Sequence, residues 1–222
     1  MAQIYFLRYE DINDGQLEEL LPLVSEERKE KVNRYADIEK RRQSLFAKLL
    51  LRAVLCRRFK VANKDLKFSV DSNGKPFVEN IDNVYFSISH TSSGIAVAVS
   101  EDEIGVDIEK VRPINIDIAK RYFTLAEYEY ILDGGEKQNE RFFYVWTRKE
   151  ARVKKSGVGF KEGLGTFSVF DSDDDADFST YFVDDFIISE SGDMAVEFIG
   201  NDRSQEILSS FINENKQKNS EF

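Results

Sequence analysis

In Ile104-Gly-Val-Asp-Ile-Glu109 the two-residue period of an extended strand sets Asp107 and Glu109 on one face and Val106 and Ile108 on the other. Two like charges that close repel, so the pair is either solvated along a strand edge or neutralised by a cation. Further on, Trp146, Glu150 and Lys154 stand four apart, which stacks them along one stripe of a helix. Glu150 and Lys154 have the order of an ordinary surface ion pair. Phe142 and Trp146 on the same line should nevertheless face the interior, and a Glu and Lys continuing a buried stripe must meet a partner or a cavity. His90, the only histidine, ends the apolar run from Phe86 in the hydroxyl-rich turn Thr91-Ser-Ser-Gly94. By itself it reads as a packed or surface residue, but such a turn can hold phosphate oxygens. Lys75 is the cation of the turn Asn73-Gly-Lys-Pro76.

These residues need scaffolding, and the pattern predicts it. Gln3 to Tyr9 reads as an opening strand, and Leu17 to Leu23 and Ser25 to Tyr35 as helical. A long helix follows from Asp37 to Phe59, with Leu45, Phe46, Leu49, Leu50, Ala53 and Val54 at helical spacing. Leu66 to Val70, Tyr85 to Ser89 and Ile95 to Ser100 are strands, the last joined to Ile104–Glu109 as an antiparallel hairpin. Thr124 and Glu127 form a capping box for a helix closed by Gly134-Gly135, and Asn139 to Ser156 is a helix stopped by Gly157. Strands are expected at Thr166 to Phe170, Tyr181 to Ile188 and Met194 to Ile199, and a disordered polar tail from Asn213 to Phe222. Residues 66–72 echo 164–172, and 88–97 echo 188–196, an offset of about 98 to 100 positions. The echo points to two similar α/β halves packed as a pseudo-dimer with a cleft between them.

Composition narrows the function. A chain of 222 residues, 41% hydrophobic with 18 Phe and 9 Tyr, can bury a substantial core. No run approaches the roughly 18 to 20 apolar residues that span a bilayer, and Met1 to Glu10 lacks the pattern of a signal peptide. The single Cys56 cannot form an internal disulfide, which fits a reducing compartment and a cytoplasmic protein. A net charge of −10 disfavours nucleic acid and anionic membranes as partners. Asp171–Asp177 is no calcium loop, because its sixth position is Ala176 and its twelfth Phe182.

Taken together, Gly105-Val-Asp-Ile-Glu109, then Trp146-Thr-Arg-Lys-Glu150-Ala-Arg-Val-Lys154, with Gly74-Lys-Pro76 and Ser87-Ile-Ser-His90 upstream, resemble the paired signature of the phosphopantetheinyl transferase superfamily. The resemblance covers roughly residues 1 to 200 and is to the larger, monomeric Sfp type. It implies an α+β fold, a pseudo-dimer with an N-terminal half over residues 1–110, a C-terminal half over 111–212 and a polar tail over 213–222. It also implies an enzyme that moves the phosphopantetheine arm of coenzyme A onto a serine of an acyl or peptidyl carrier protein. On this resemblance Asp107, Glu109 and Glu150 bind Mg²⁺, Glu150 is the general base, and Lys154 stabilises or protonates the departing 3′,5′-ADP. Lys75, Ser89 and His90 match positions around the nucleotide and its 3′-phosphate, and Arg28 and Lys31 match basic positions near that phosphate. Arg42 takes the place of a family arginine early in the long helix. A non-catalytic binding protein of the same fold and a Mg²⁺-dependent phosphohydrolase are the rival expectations.

Overall fold

The structure, a computed structural model, describes residues 1–9, 17–157, 159, 163–170, 178–192 and 195–219. Strand β1 (Ala2–Arg8) leads through the short helix α1 (Leu17–Leu20) and α2 (Glu26–Asn33) into α3 (Ile38–Phe59). The Asp37 side chain accepts a hydrogen bond from the Glu39 N–H and starts α3, and Lys60 closes it in the left-handed conformation. The ribbon β2 (Phe68–Val70) and β3 (Pro76–Val78) follows, then β4 (Tyr85–Thr91) and β5 (Gly94–Ser100). Next come β6 (Gly105–Lys110), α4 (Asp117–Tyr122), α5 (Leu125–Leu132), α6 (Gln138–Ser156), β7 (Phe178–Val183) and β8 (Phe186–Ser191). Strand β9 (Val196–Ile199) and α7 (Asn201–Asn219) complete the described chain.

The strands form a four-stranded sheet in the order β4-β5-β1-β9, a three-stranded sheet β6-β8-β7, and the β2-β3 ribbon. Alternation sorts the side chains between layers. Tyr5 and Leu7 of β1, with Ile95, Val97 and Val99 of β5, pack on the apolar face of α3. Ile4, Phe6, Ala96 and Ala98 point the other way, against Val106 and Ile108 of β6 and Phe186 and Ile188 of β8. On the outer face of the second sheet, Ile187 joins Phe142, Phe143 and Val145 of α6. The result is four layers, helix, sheet, sheet and helix, an α+β pseudo-dimer. Burial on both faces explains why every residue of β5 is buried.

Several expectations give way to non-local pairing. Strand β6 does not form a hairpin with β5, because both edges of β5 are already occupied by β4 and β1; it pairs antiparallel with β8 instead. The single strand expected over Tyr181 to Ile188 is the β7-β8 hairpin, turning at Asp184 with φ 53. Thr166 to Phe170 is not a strand. Its backbone is claimed by buried side chains: Lys149 Nζ donates to the Leu164 and Phe167 carbonyls, and the Val169 N–H donates to Glu127. Strand β9 crosses back to lie parallel to β1, so the echo between 88–97 and 188–196 ends where β5 pairs with β4 but β9 leaves β8. The expected polar tail is helical through Asn219, with Ile207, Leu208 and Phe211 in the first core and Ile212 packed against it. The Asp171–Asp177 loop lies outside the described residues.

Candidate active site

The two sheets leave their edge strands β4 and β6 side by side, and α6 covers the seam. An edge strand offers unpaired backbone groups, and here hydroxyls at alternate positions of β4 meet one backbone N–H and two carboxylates of β6. Ser87 Oγ accepts from the Val106 N–H at 3.0 Å, Ser89 Oγ donates to Asp107 Oδ1 at 2.7 Å, and Thr91 Oγ1 donates to Glu109 Oε2 at 3.2 Å. Gly105 lets α6 come close, since a Cβ there would stand 1.8 Å from the Ala151 carbonyl oxygen. Asp107 and Glu109 share the face of Gly105, as the strand period predicted, so they look toward the helix stripe of Trp146, Glu150 and Lys154. A cavity of about 330 Å³ is lined by these residues with Ser89 and His90.

Within it, Lys154 Nζ lies 2.6 Å from Asp107 Oδ1 and 2.8 Å from Ser89 Oγ. Glu109 is held by Arg112 Nη1 at 2.7 Å. Burial pushes the Glu150 carboxyl up to about 7, with the charges of Asp107 and Glu109 acting the same way and Lys154 against them. Among the described residues no group of three or more acidic, histidine or cysteine side chains is assembled to hold a metal ion, so the expected three-carboxylate cluster is not formed in this arrangement. The donor set still suits a hard cation. Asp107 Oδ2 and Glu150 Oε1 are buried without a hydrogen-bond partner, the condition an oxygen-seeking divalent ion relieves.

The cavity continues into a second of about 340 Å³ through Ile88, Glu150 and Lys154, and that one reaches Gly74, Lys75 and Pro76. Lys75 ties this turn to α6: its Nζ donates to the Lys155 carbonyl at 2.6 Å, near the helix C-terminus, where a cation is favoured. Desolvation lowers its pKa. Through Gly74 and Pro76 the path enters a third cavity, about 500 Å³, lined by Arg28, Lys31, Lys48 and Arg52. Arg28 Nη1 donates to Ser44 Oγ at 3.4 Å. His90 stands exposed at the rim, where neighbouring groups desolvate its ring and the charges of Lys154, Lys31 and Arg28 hold it below the usual imidazole range. Arg42 is not brought to this cavity. Its guanidinium donates to Glu39 at 2.5 Å on its own helix.

Sequence reasoning missed Lys48 and Arg52, although a signal existed: Lys48 interrupts the apolar run from Leu45 to Leu51, and Arg52 follows one turn later. It also missed the pair beneath the site. Lys149 and Glu127, both fully buried, meet at 2.9 Å. The capping-box reading of Glu127 holds, with its Oε2 accepting from the Thr124 N–H at 2.8 Å, but its other oxygen serves Lys149 and Val169.

Comparisons with known proteins identify the family. The family described as "4'-phosphopantetheinyl transferase superfamily" matches residues 103–209, and the one described as "4'-phosphopantetheinyl transferase, N-terminal" matches 13–102. The chain is 34% identical to 4'-phosphopantetheinyl transferase ffp of Bacillus subtilis and 33% identical to 4'-phosphopantetheinyl transferase Sfp of Bacillus subtilis (strain 168), in each case over 71% of both chains. It is 32% identical to 4'-phosphopantetheinyl transferase HetI of a Nostoc strain, over 67% of this chain and 66% of that one. A seam of two edge strands under one helix, and relatives that match across most of its length, lead to one conclusion: the chain belongs to the 4'-phosphopantetheinyl transferase superfamily, as an enzyme of the Sfp type.

Proposed function

We propose that the seam between β4 and β6 transfers the phosphopantetheine arm of coenzyme A to a serine of an acyl or peptidyl carrier protein, releasing 3′,5′-ADP. The observation that carries this reading is Glu150, a buried carboxylate with an unpartnered oxygen, one helical turn from the Lys154 ammonium. A carboxyl held near neutrality is matched to taking a proton from an alcohol. The incoming serine oxygen attacks the phosphorus bearing the pantetheine arm, Glu150 receives the hydroxyl proton, and the bond from that phosphorus to the bridging oxygen breaks. Lys154 stands ready to stabilise or protonate the oxygen that leaves with 3′,5′-ADP.

A Mg²⁺ ion, when bound, would offset the charges of the carboxylates and of the coenzyme A diphosphate. Asp107, Glu109 and Glu150 would hold it, Asp107 and Glu150 through their unsatisfied buried oxygens and Glu109 through the carboxylate that Arg112 now bonds. Ser89 orients Asp107 and Lys154. Lys75, with Gly74 and Pro76, lines the path for the nucleoside, and His90 meets its phosphates from the rim. Arg28 and Lys31 face the 3′-phosphate from the third cavity.

Among the described residues no helix is long and apolar enough to cross a membrane. With a single cysteine and charge of −10, we place the enzyme in the cytoplasm as a monomer, engaging neither nucleic acid nor membrane. The test incubates apo carrier protein with coenzyme A and Mg²⁺ and weighs the product. A mass gain of one phosphopantetheine supports transfer; 3′,5′-ADP released without any carrier, and no gain in mass, would assign a phosphohydrolase instead.

A further inference from the structure

The third cavity holds a cation that the transfer chemistry leaves unused. Lys48 projects from the middle of α3, and its ammonium lies 4.4 Å from the Phe68 ring centroid and 5.4 Å from that of Phe86. Among the described residues no carboxylate or carbonyl bonds it. Its charged neighbours on this cavity, among the described residues, are three cations and one acid: Arg28 and Lys31 with Glu27 from α2, and Arg52 from its own helix. Ser69 is the polar residue that β2 contributes to the lining. Arg28 has a partner in Ser44, and Arg52 has two in Asn63, at 2.5 Å from its side-chain oxygen and 2.7 Å from its carbonyl. Among the described residues the two lysines of this set, Lys31 and Lys48, have no hydrogen-bond or ion-pair partner, and of the two it is Lys48 that is set against the rings of Phe68 and Phe86.

We propose that Lys48 is a ligand of the ribose 3′-phosphate of coenzyme A, closing on the phosphomonoester dianion together with Arg28 and Lys31. This rests on the placement of the nucleotide given above. The two rings flank the ammonium and favour its charge through their π faces, so little side-chain freedom remains to be lost on binding. Burial, with Arg28, Arg52 and Lys31 nearby, brings the free ammonium down to about 7, with Glu27 opposing. An arriving dianion reverses that field. Lys48 therefore takes up a proton as the phosphate enters, and the structure assigns it a role that tells coenzyme A from nucleotides lacking the 3′-phosphate.

The test measures calorimetric binding of coenzyme A and of 3′-dephospho-coenzyme A to the wild type, Lys48→Met and Lys48→Arg between about pH 6.5 and 9. The expected wild type prefers coenzyme A, and the preference shrinks as the pH rises through the upper half of the range. Lys48→Met loses about tenfold in affinity for coenzyme A, keeps its affinity for the dephospho form within about twofold, and loses the alkaline decline. Lys48→Arg keeps the preference but not the decline, since a guanidinium does not titrate there. His90, which also feels Arg28 and Lys31, is common to all three proteins and cancels in the comparison. Equal losses for both ligands in Lys48→Met would make Lys48 a packing residue and overturn the assignment. An unchanged preference in that variant would overturn it too, while leaving the nucleotide placement standing. A wild type that binds both ligands alike, or neither, removes the placement and Lys48 with it.

Discussion

Helix α6 carries two lysines five residues apart, each against a carboxylate, and the two pairs are built to opposite ends. Lys149 and Glu127 are both 0% exposed, and every charge is answered: the ammonium by Glu127 and the Leu164 and Phe167 carbonyls, the carboxylate by Lys149 and the Thr124 and Val169 N–H groups. Lys154 is 28% exposed and bonds Asp107 and Ser89, yet Asp107 Oδ2 and Glu150 Oε1 beside it are buried with no partner. The first pair is closed and fixes α5 and the 164–169 segment to α6. The second is open, and its unsatisfied oxygens are what a ligand or ion would complete.

The contrast can be broken most severely at the closed pair. Lys149→Met should cost about 3–5 kcal/mol in urea denaturation at pH 7, because it leaves Glu127 charged, buried and unpaired. Adding Glu127→Gln should recover part of that loss; no recovery would mean the pair does not act as a unit. At the open pair, Lys154→Met should cost clearly less stability than Lys149→Met, about 1–2 kcal/mol, because the ammonium is part-exposed and Asp107 keeps its bond from Ser89, while transfer, followed by the mass of the carrier product, falls about 10²-fold or more. A stability loss matching that of Lys149→Met would erase the distinction.

Smaller effects sharpen it. Glu150 in the folded protein holds its proton to about 7, above the unfolded value of 4.5, so the folded state is progressively destabilised as the pH rises through that window. Glu150→Gln cannot ionise. With divalent ions chelated, it should exceed the wild type by about 1–3 kcal/mol above pH 7, and the margin should close toward pH 4.5, as read from thermal melts. The smallest effect belongs to the solvent-facing pair, where Arg112→Ala should change stability by about 0.5 kcal/mol or less.

Much of the site was legible because it is encoded locally. The pleat of Gly105–Glu109, the stripe of Trp146, Glu150 and Lys154, the long helix after Asp37 and the Thr124–Glu127 box each depend on residues a few positions apart, and each stands as the pattern predicts. The misreadings share a different origin. Whether β6 pairs with β5 or β8 depends on which edges other strands have taken, and 164–170 fails as a strand because Lys149 and Glu127 reach its backbone from distant helices. Lys48 escaped notice because a lysine in an apolar run does not by itself reveal the cations of α2 across the cavity from it. The three carboxylates line one cavity as expected, but a strand period cannot report that Lys154 occupies Asp107 and Arg112 occupies Glu109.

The parallel pairing of β9 with β1, and of α7 with the core on α3, has a bearing on how the chain comes into being. A ribosome releases β1 well before β9, so the opening sheet waits at its outer edge until residues 196–199, about 190 positions later, have emerged. The halves are therefore not beads that mature one after the other during synthesis. Truncation ahead of residue 196 would strip the amino-terminal layer of its border strand, and a recombination event cutting near residue 110 would hand on neither half intact.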